Sequence, residues 1–395
     1  MPLIAFDVFA GCGGLSKGLL NAGMQVPWAV ELDEHASNSY RTAHPLTSVY
    51  NEDATVVLKA IEAKDSCVPG RGDVDIVVGG PPCQGFSGYN RYRRASDPRN
   101  SLVSTFLSYV EVLRPRYVLM ENVPGMLSMA SGKVTPAILD CLKAFGYSTR
   151  LGILQAGYYG IPQNRWRVFI WAAYKKTTLP NFPAPSHNFP KKTLFGATGF
   201  REHVVLPQPA TNPQKELRHT VTVADAIRDL PRIVNGGGDD ETRYKSRPLS
   251  DYQLRLRRGS SSLCDHRTTR LTGVQYERCC AIPRRRGAGW LDLPQRLKPA
   301  NLLRHGDDRY PNRFGRLHWT GTFNTILHRA EPYWSCVFHP SQNRVLSVRE
   351  CARAQSFPDN FKFSGSLRQR YSQVGNAVPP LLAEAVVGAL VNSLD

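Results

Sequence analysis

A cysteine stands at the tip of a turn in VVGGPPCQGFSG, Val77 to Gly88, after two prolines and between a buried-looking strand and a glycine-rich stretch. A lone cysteine usually ends up as an inert core thiol. Here Pro81 and Pro82 stiffen the backbone just past the strand's C-terminal end, where open α/β sheets bind ligands, and Gly85 and Gly88 loosen the loop beyond the cysteine. A nucleophilic thiol needs access and a lowered pKa. Arg91, Arg93 and Arg94 come a few residues later, placed either to favour a thiolate or to meet phosphates. Two more stretches carry related chemistry. LMENVPG, Leu119 to Gly125, is a strand ending in an acid, and Glu121 reads as a helix-capping carboxylate or as a catalytic acid. GIPQNRWRVFI, Gly160 to Ile170, puts Arg165 and Arg167 on one face of an extended segment. Pointed inward they need an acid partner, for which Glu121 is the candidate; on a surface strand they need none.

FAGCGGLSKGLL, Phe9 to Leu20, sets Gly11, Gly13 and Gly14 between a strand and a helix, so that backbone amides can approach a ligand at the helix N-terminus. No Gly-Lys-Ser/Thr comes after it, which excludes a P-loop, and Ser16 occupies the last glycine position of a dinucleotide fingerprint. A plain tight turn explains the loop alone equally well. Glu31 ends the second strand, where a carboxylate can hold ribose hydroxyls, and Asp53 in YNEDAT falls at the end of an expected third strand, suited to an adenine amine. Glycine loop, Glu and Asp in series describe a nucleoside cofactor across strand ends. With no phosphate-gripping lysine, S-adenosylmethionine suits the corner better than a nucleotide.

The elements that must carry these residues are set by the apolar pattern. Strands are expected at Leu3–Phe9, Val26–Glu31, Val74–Gly79, Tyr117–Glu121 and Arg167–Ala172, with helices at Ser16–Ala22 and Val103–Leu113. Such alternation predicts an α/β, doubly wound, mostly parallel sheet. From Leu179 to about residue 345 the chain turns rich in Pro, Gly, Asn and Arg; a run from Arg243 through Arg257 to Arg286 is interleaved with Tyr244, Tyr252, Tyr276 and Trp290, the kit for phosphate contact and base stacking. Helices are expected again at Val348–Gln355 and Pro380–Leu394, a tail that rejoins the first domain. The 395 residues carry a formal charge of +18, which favours a nucleic-acid partner over an acidic membrane because no basic amphipathic helix stands out. Nine scattered cysteines with no CxxC pair speak against a disulfide framework or a zinc site and fit a reducing compartment. No apolar run is expected to cross a bilayer, and the N-terminus shows no signal-peptide pattern.

The series FAGCGGL, PPCQGFS, ENV, QNRWR, RECARAQSFPD and QVGNAVPP, in this order, resembles the DNA (cytosine-5) methyltransferases over essentially the whole chain. Within them it is most similar to the catalytic domain of the eukaryotic maintenance enzymes. The resemblance implies an S-adenosylmethionine-dependent, Rossmann-like catalytic domain of residues 1–185 and 346–395, with a smaller irregular target-recognition domain of residues 186–345. It implies that Cys83 adds to C6 of a cytosine flipped out of the duplex. Glu121 contacts N3 and the exocyclic amine as an acid whose pKa burial raises, and Arg165 and Arg167 orient Glu121, the base carbonyl and the cysteine loop. It assigns Phe9, Gly14, Leu15, Glu31, Leu32, Asp53, Ala54 and Pro81, beside Gly11, to the cofactor, with Asn376 and Val378 approaching from the returning tail. The expected product is S-adenosylhomocysteine. Gln84, Ser87 and Arg91, with Arg284, Arg285 and Arg286, are the candidate DNA contacts. The expected partner is double-stranded DNA, bound by a monomer without metal or membrane, in the nucleus of a eukaryote or otherwise in cytoplasm. A tRNA methyltransferase of the same fold and a non-catalytic DNA-binding relative are the alternatives. Trp166 replaces an arginine of the animal enzymes, and EPYWSCVFHPSQNRV is shorter than its animal counterpart, which puts CpG preference in question. The zinc-binding insert and regulatory modules of the animal proteins have no counterpart in the sequence.

Overall fold

The computed structural model describes residues 2–82, 101–190, 199–207, 216–305 and 311–394. It divides into two compact units, one of Met1–Gly160, Trp166–His219 and Val378–Asp395, the other of Ile161–Arg165 and Thr220–Ala377. These physical limits differ from the expected ones at 185/186 and 345/346. Residues 186–219 stay with the first unit, and of the tail only Val378 onward rejoins it.

The first unit alternates β1 (Ile4–Val8), α1 (Gly14–Asn21), β2 (Gln25–Val30), α2 (Glu34–Ala43), β3 (Ser48–Tyr50), α3 (Ala54–Glu62), β4 (Ile76–Gly79), α4 (Ser101–Leu113), β5 (Tyr117–Asn122) and α5 (Val134–Ala144), then closes with β6 (Tyr147–Gln155) and β7 (Trp166–Tyr174). The seven strands lie in the order β3-β2-β1-β4-β5-β7-β6. All run parallel except β7, which is antiparallel to both neighbours. Every residue of β4 and β5 is buried, as continuous apolar strands in a parallel sheet must be when helices cover both faces. One core joins Phe6, Val8, Val77, Val118 and Met120 of the strands to Val57 and Ile61 of α3 and Phe106 and Val110 of α4. The strand order reverses between β1 and β4, the switch point at which open sheets hold ligands. β6 was not expected, because Ser148, Thr149 and Arg150 interrupt its apolar run on partly exposed positions.

The second unit holds α6 (Val223–Ile227), β8 (Gly238–Arg243), α7 (Asp251–Arg257), β9 (Ser262–Arg267), α8 (Gly273–Ala281), α9 (Ala300–His305), α10 (Val348–Ala354) and α11 (Leu367–Asn376), with β8 and β9 paired antiparallel. Buried ion pairs share its interior with an apolar cluster around Trp290, Phe314 and Phe338. Arg344, Arg349 and Arg353 are wholly buried. Arg344 forks onto Glu350 with two bonds of 2.7 Å, and Glu350 completes the capping box that starts α10 at Ser347. Arg353 bridges Asp229 and Asp359. RECARAQSFPD is therefore a framework of this unit.

A last helix, α12 (Pro380–Val391), belongs to the first unit. The run Leu367–Val391 does have the length and mean apolarity of a bilayer crossing, contrary to expectation. It consists of two helices broken at Ala377–Pro379, and α12 buries Leu382, Val386 and Leu390. α12 packs along α1 so closely that a Cβ on Gly18 would stand 2.3 Å from that of Ala383.

Candidate active site

In the first unit the expected residues gather at one edge of the sheet. Phe9, Glu31, Asp53 and Pro81 come after the C-terminal ends of β1, β2, β3 and β4, Glu121 is the last residue but one of β5, and Arg167 is the second of the reversed β7 at that same edge. The glycine turn bends hard, with φ of 64° at Phe9, 57° at Gly11 and 92° at Gly13. The Gly11 amide donates to Glu31 Oε2 at 2.7 Å and the Asp33 amide to Oε1 at 2.8 Å, so two backbone donors aim the carboxyl. Burial raises the Glu31 pKa, against these bonds. Asn51 Nδ2 donates to the carbonyls of Glu31 and Leu32 and ties the end of β2 to the loop after β3. Leu32 is 65% exposed, whereas Gly14, Leu15 and Ala54 are buried.

Asp53 departs from expectation in its element. β3 stops at Tyr50, and Asp53 is the N-cap of α3, its Oδ1 accepting from the Thr55 amide at 2.7 Å and hydroxyl at 2.6 Å. The Thr55 hydroxyl, then its amide, holds the Asp53 carboxylate below the usual range. The position at the strand edge is as expected, because YNEDAT leaves only a short loop between β3 and its helix.

The chain leading to the cysteine is stitched to β5. Asn122 Nδ2 donates to Pro81 O at 3.1 Å, and a Cβ on Gly80 would stand 3.1 Å from Glu121 Oε2. Cys83, Gln84, Ser87 and Arg91 lie outside the described residues. Arg167 Nε lies 2.8 Å from Glu121 Oε1, and both side chains are buried; burial pulls the Arg167 pKa down while Glu121 opposes it. Arg165 behaves differently. Its guanidinium donates to the carbonyls of Ile326 at 3.2 Å and of Gly375 and Ala377 at 2.9 Å, all in the second unit. The expected pairing of both arginines with Glu121 thus holds for Arg167, and Arg165 is taken up by backbone carbonyls. Gln163 shares that role, bonding Gln355, Ala354 O and the Ile326 amide. Sequence reasoning passed over Gln163, Gln355, Gly80 and Asn122, although the asparagine directly after the acid of ENV was a visible signal.

Val378 is buried just before α12, and Asn376 is exposed at the end of α11, its amide 3.4 Å from Ser372 Oγ. In the basic run, Arg284, Arg285 and Arg286 are exposed, with Arg285 paired to Asp292. Arg257 is instead buried against Asp229 and stacked 3.7 Å from the Tyr244 ring centre, while Tyr252 and Trp290 are core residues. Those three leave the expected phosphate-and-stacking surface because partnered acids and apolar neighbours draw them inside. Burial pushes the Cys12 and Cys279 thiols up to about 12, so neither ionises near neutrality. Among the described residues no cluster of His, Cys, Asp and Glu is arranged to hold a metal.

A doubly wound sheet with a glycine turn, ribose-suited acid and acid–arginine pair along one edge defines a nucleoside-cofactor methyltransferase domain. Residues 4–392 match the model of the C-5 cytosine-specific DNA methylases, and the chain belongs to that family. It is 37% identical to DNA (cytosine-5)-methyltransferase 1A of Oryza sativa subsp. japonica across 100% of its length and 36% identical to DNA (cytosine-5)-methyltransferase 1 of Mus musculus across 97%. It spans 28% of the length of each of these relatives. In fold it is similar to a prophage-encoded E. coli protein described as a DNA modification methyltransferase (TM-score 0.71, 24% identity, 99% of each chain). It is also similar in fold to a Spodoptera frugiperda DNMT2 mutant (TM-score 0.58, 15% identity, 98% and 99% of the two chains). Family membership implies S-adenosylmethionine as methyl donor. The residues present fit it: a carboxyl oriented by Gly11 and Asp33, open space where Gly11 would carry a side chain, and an α1 N-terminus that no side chain caps.

Proposed function

We propose that this chain is the catalytic part of a DNA (cytosine-5)-methyltransferase that modifies a flipped cytosine in duplex DNA. The observation that carries the proposal is the Glu121–Arg167 pair at the sheet edge shared with Gly80–Pro81 and the Glu31 corner. C5 of cytosine is too electron-poor to accept an electrophilic carbon unaided. The Cys83 thiolate adds to C6, Glu121 delivers a proton to N3, and the ring becomes an enamine with nucleophilic C5. Arg167 holds Glu121 by Oε1 and fixes where that proton is delivered. S-adenosylmethionine, when bound, supplies the methyl group that C5 takes. A base then removes the C5 proton, the electron pair returns to expel the Cys83 thiolate, and N3 hands its proton back to Glu121, which leaves neutral 5-methylcytosine and the acid as it began. C6 is unreachable in a stacked duplex, so the base is extruded at a cost of a few kcal/mol. Arg284, Arg285 and Arg286, with Arg91, Gln84 and Ser87, are proposed to meet DNA. Phe9, Gly11, Gly14, Leu15, Glu31, Leu32, Asp53, Ala54, Pro81, Asn376 and Val378 are proposed for the cofactor. Residues 186–345 are proposed for target recognition, and the nucleus as the place of action, given rice and mouse relatives.

Radiolabelled cofactor offered with unmethylated duplex, hemimethylated duplex and tRNA tests the substrate. Label in duplex DNA is expected; label in tRNA alone overturns the proposal, and equal label in both duplexes removes a maintenance role. Cys83→Ser is expected to keep cofactor affinity and to lose the covalent adduct with 5-fluorocytosine DNA. DNA affinity should fall steeply with salt.

A further inference from the structure

The glycine turn is held from two sides. Glu31 grips the Gly11 amide on one. On the other stand two residues that no motif singled out, Tyr40 of α2 and His44, the residue that caps its C-terminus. They are one helical turn apart, so both face the same way, and their rings meet edge to face with centres 4.7 Å apart. His44 Nε2 lies 3.2 Å from the Gly13 carbonyl. The carbonyl can only accept, so Nε2 carries the proton. Burial lowers the His44 pKa to about 4, which keeps the ring neutral and this donor fixed at physiological pH.

Tyr40 reaches one turn further. Its hydroxyl donates to Ser16 Oγ at 2.6 Å, and Ser16 Oγ donates to Asp7 Oδ2 at 2.5 Å. Tyr40, Ser16 and Asp7 are all fully buried, and Asp7 Oδ1 has no hydrogen-bond partner. This chain of bonds runs from α2 through the first turn of α1 to β1. Gly13 sits in the notch between the two rings: a Cβ there would stand 2.7 Å from His44 Nε2 and 2.8 Å from Tyr40 Cδ2. α1 has no side-chain cap of its own. Its starting residue is therefore placed by α2, and with it the amides that open the helix.

We infer that Tyr40 and His44, acting through Ser16, Asp7 and Gly13, are positioning residues that set the shape of the cofactor turn. They touch the turn from behind and are not catalytic. The inference rests on the assignment of S-adenosylmethionine to that turn. Its consequence is a division of labour: Glu31 meets the ligand, and α2 keeps the turn in the conformation that fits it.

The probe is S-adenosylhomocysteine, whose binding to the whole chain is measured by titration calorimetry beside steady-state methyl transfer. Tyr40→Phe and His44→Leu are each expected to weaken S-adenosylhomocysteine about tenfold, equal to about 1.4 kcal/mol, and to raise the cofactor KM alike. kcat and the DNA KM should stay within about twofold. His44→Gln, whose amide can still donate to Gly13, is expected to recover most of the affinity, an outcome a merely space-filling histidine would not give. Glu31→Ala is the control. If it abolishes binding while Tyr40→Phe and His44→Leu bind as the parent does, the positioning role is overturned and the cofactor corner stands. If none of the three alters binding, the corner itself is wrong. Parallel loss of kcat and of both KM values in Tyr40→Phe would likewise overturn the inference, as a general disturbance of the fold.

Discussion

Replacing Arg353 by leucine is expected to unfold the second unit more readily than any other single loss within its charged core. The guanidinium makes five hydrogen bonds: two to Asp359 at 2.9 and 2.6 Å, two to Asp229 at 2.5 and 3.2 Å, and one to Ala226 O at 2.7 Å. The two acids do not depend on it equally. Asp229 keeps Arg257, which bonds it at 2.9 and 2.5 Å, whereas Asp359 keeps the Tyr244 hydroxyl and a more distant Arg349. Leucine therefore leaves one carboxylate buried without its cation, at a cost of about 3–5 kcal/mol. Arg257→Leu leaves Asp229 still held by Arg353 and should cost about 2 kcal/mol. Neutralising the stranded acid should recover part of the loss, so Arg353→Leu with Asp359→Asn is expected to be about 2 kcal/mol more stable than Arg353→Leu alone. Urea unfolding monitored by tryptophan fluorescence reads this, since Trp290, Trp319 and Trp334 lie in the second unit. A cost below about 1 kcal/mol for Arg353→Leu, or a double variant no better than the single one, would refute the account. A pH dependence is expected too. Burial alone would raise Asp359, yet Arg353 holds it below its ordinary value, so its contribution is present above about pH 4 and is lost as the pH falls further.

Three further outcomes are expected. Arg167→Leu should cut methyl transfer by at least about a hundredfold while S-adenosylhomocysteine affinity stays unchanged, because the change falls on the acid and not on the glycine turn; equal losses in both would sink that separation. Gly18→Ala should destabilise the first unit by about 1–3 kcal/mol through overlap with Ala383, read by thermal melting. Burial raises Asp7 to about 7 from 3.8. The folded chain then binds more protons than the unfolded one between those values, so stability should fall by up to about 4 kcal/mol as pH rises through that window. Asp7→Asn should flatten the slope, and an unchanged slope would show that Asp7 is not its source.

Strands β1, β4 and β5 were legible because burial on both faces writes an uninterrupted apolar run, and the glycines and acids beyond them mark where each run stops. Glu31, Pro81 and Glu121 could be placed at strand ends for that reason. Strand direction leaves no such trace. Arg167 could be put in a strand but its pairing with Glu121 depends on β7 running backwards. The fate of a single arginine was equally hidden. Arg165 and Arg167 are two positions apart and look alike in QNRWR, yet the first reaches the carbonyls of Ile326, Gly375 and Ala377, and the second adds the Glu121 carboxylate to the carbonyl of Trp166. In the basic run, Arg257 and the exposed Arg284 cannot be distinguished by composition, because the acid that draws Arg257 inward, Asp229, lies 28 residues away.

Had β7 run in the direction of its neighbours, its first residue would emerge on the far rim. Its nine residues amount to roughly 30 Å at about 3.3 Å each, a gulf no guanidinium could span. By reversing a single strand, the architecture brings the cation to the carboxylate as a matter of hydrogen-bond register, and asks nothing of a flexible loop to hold it there.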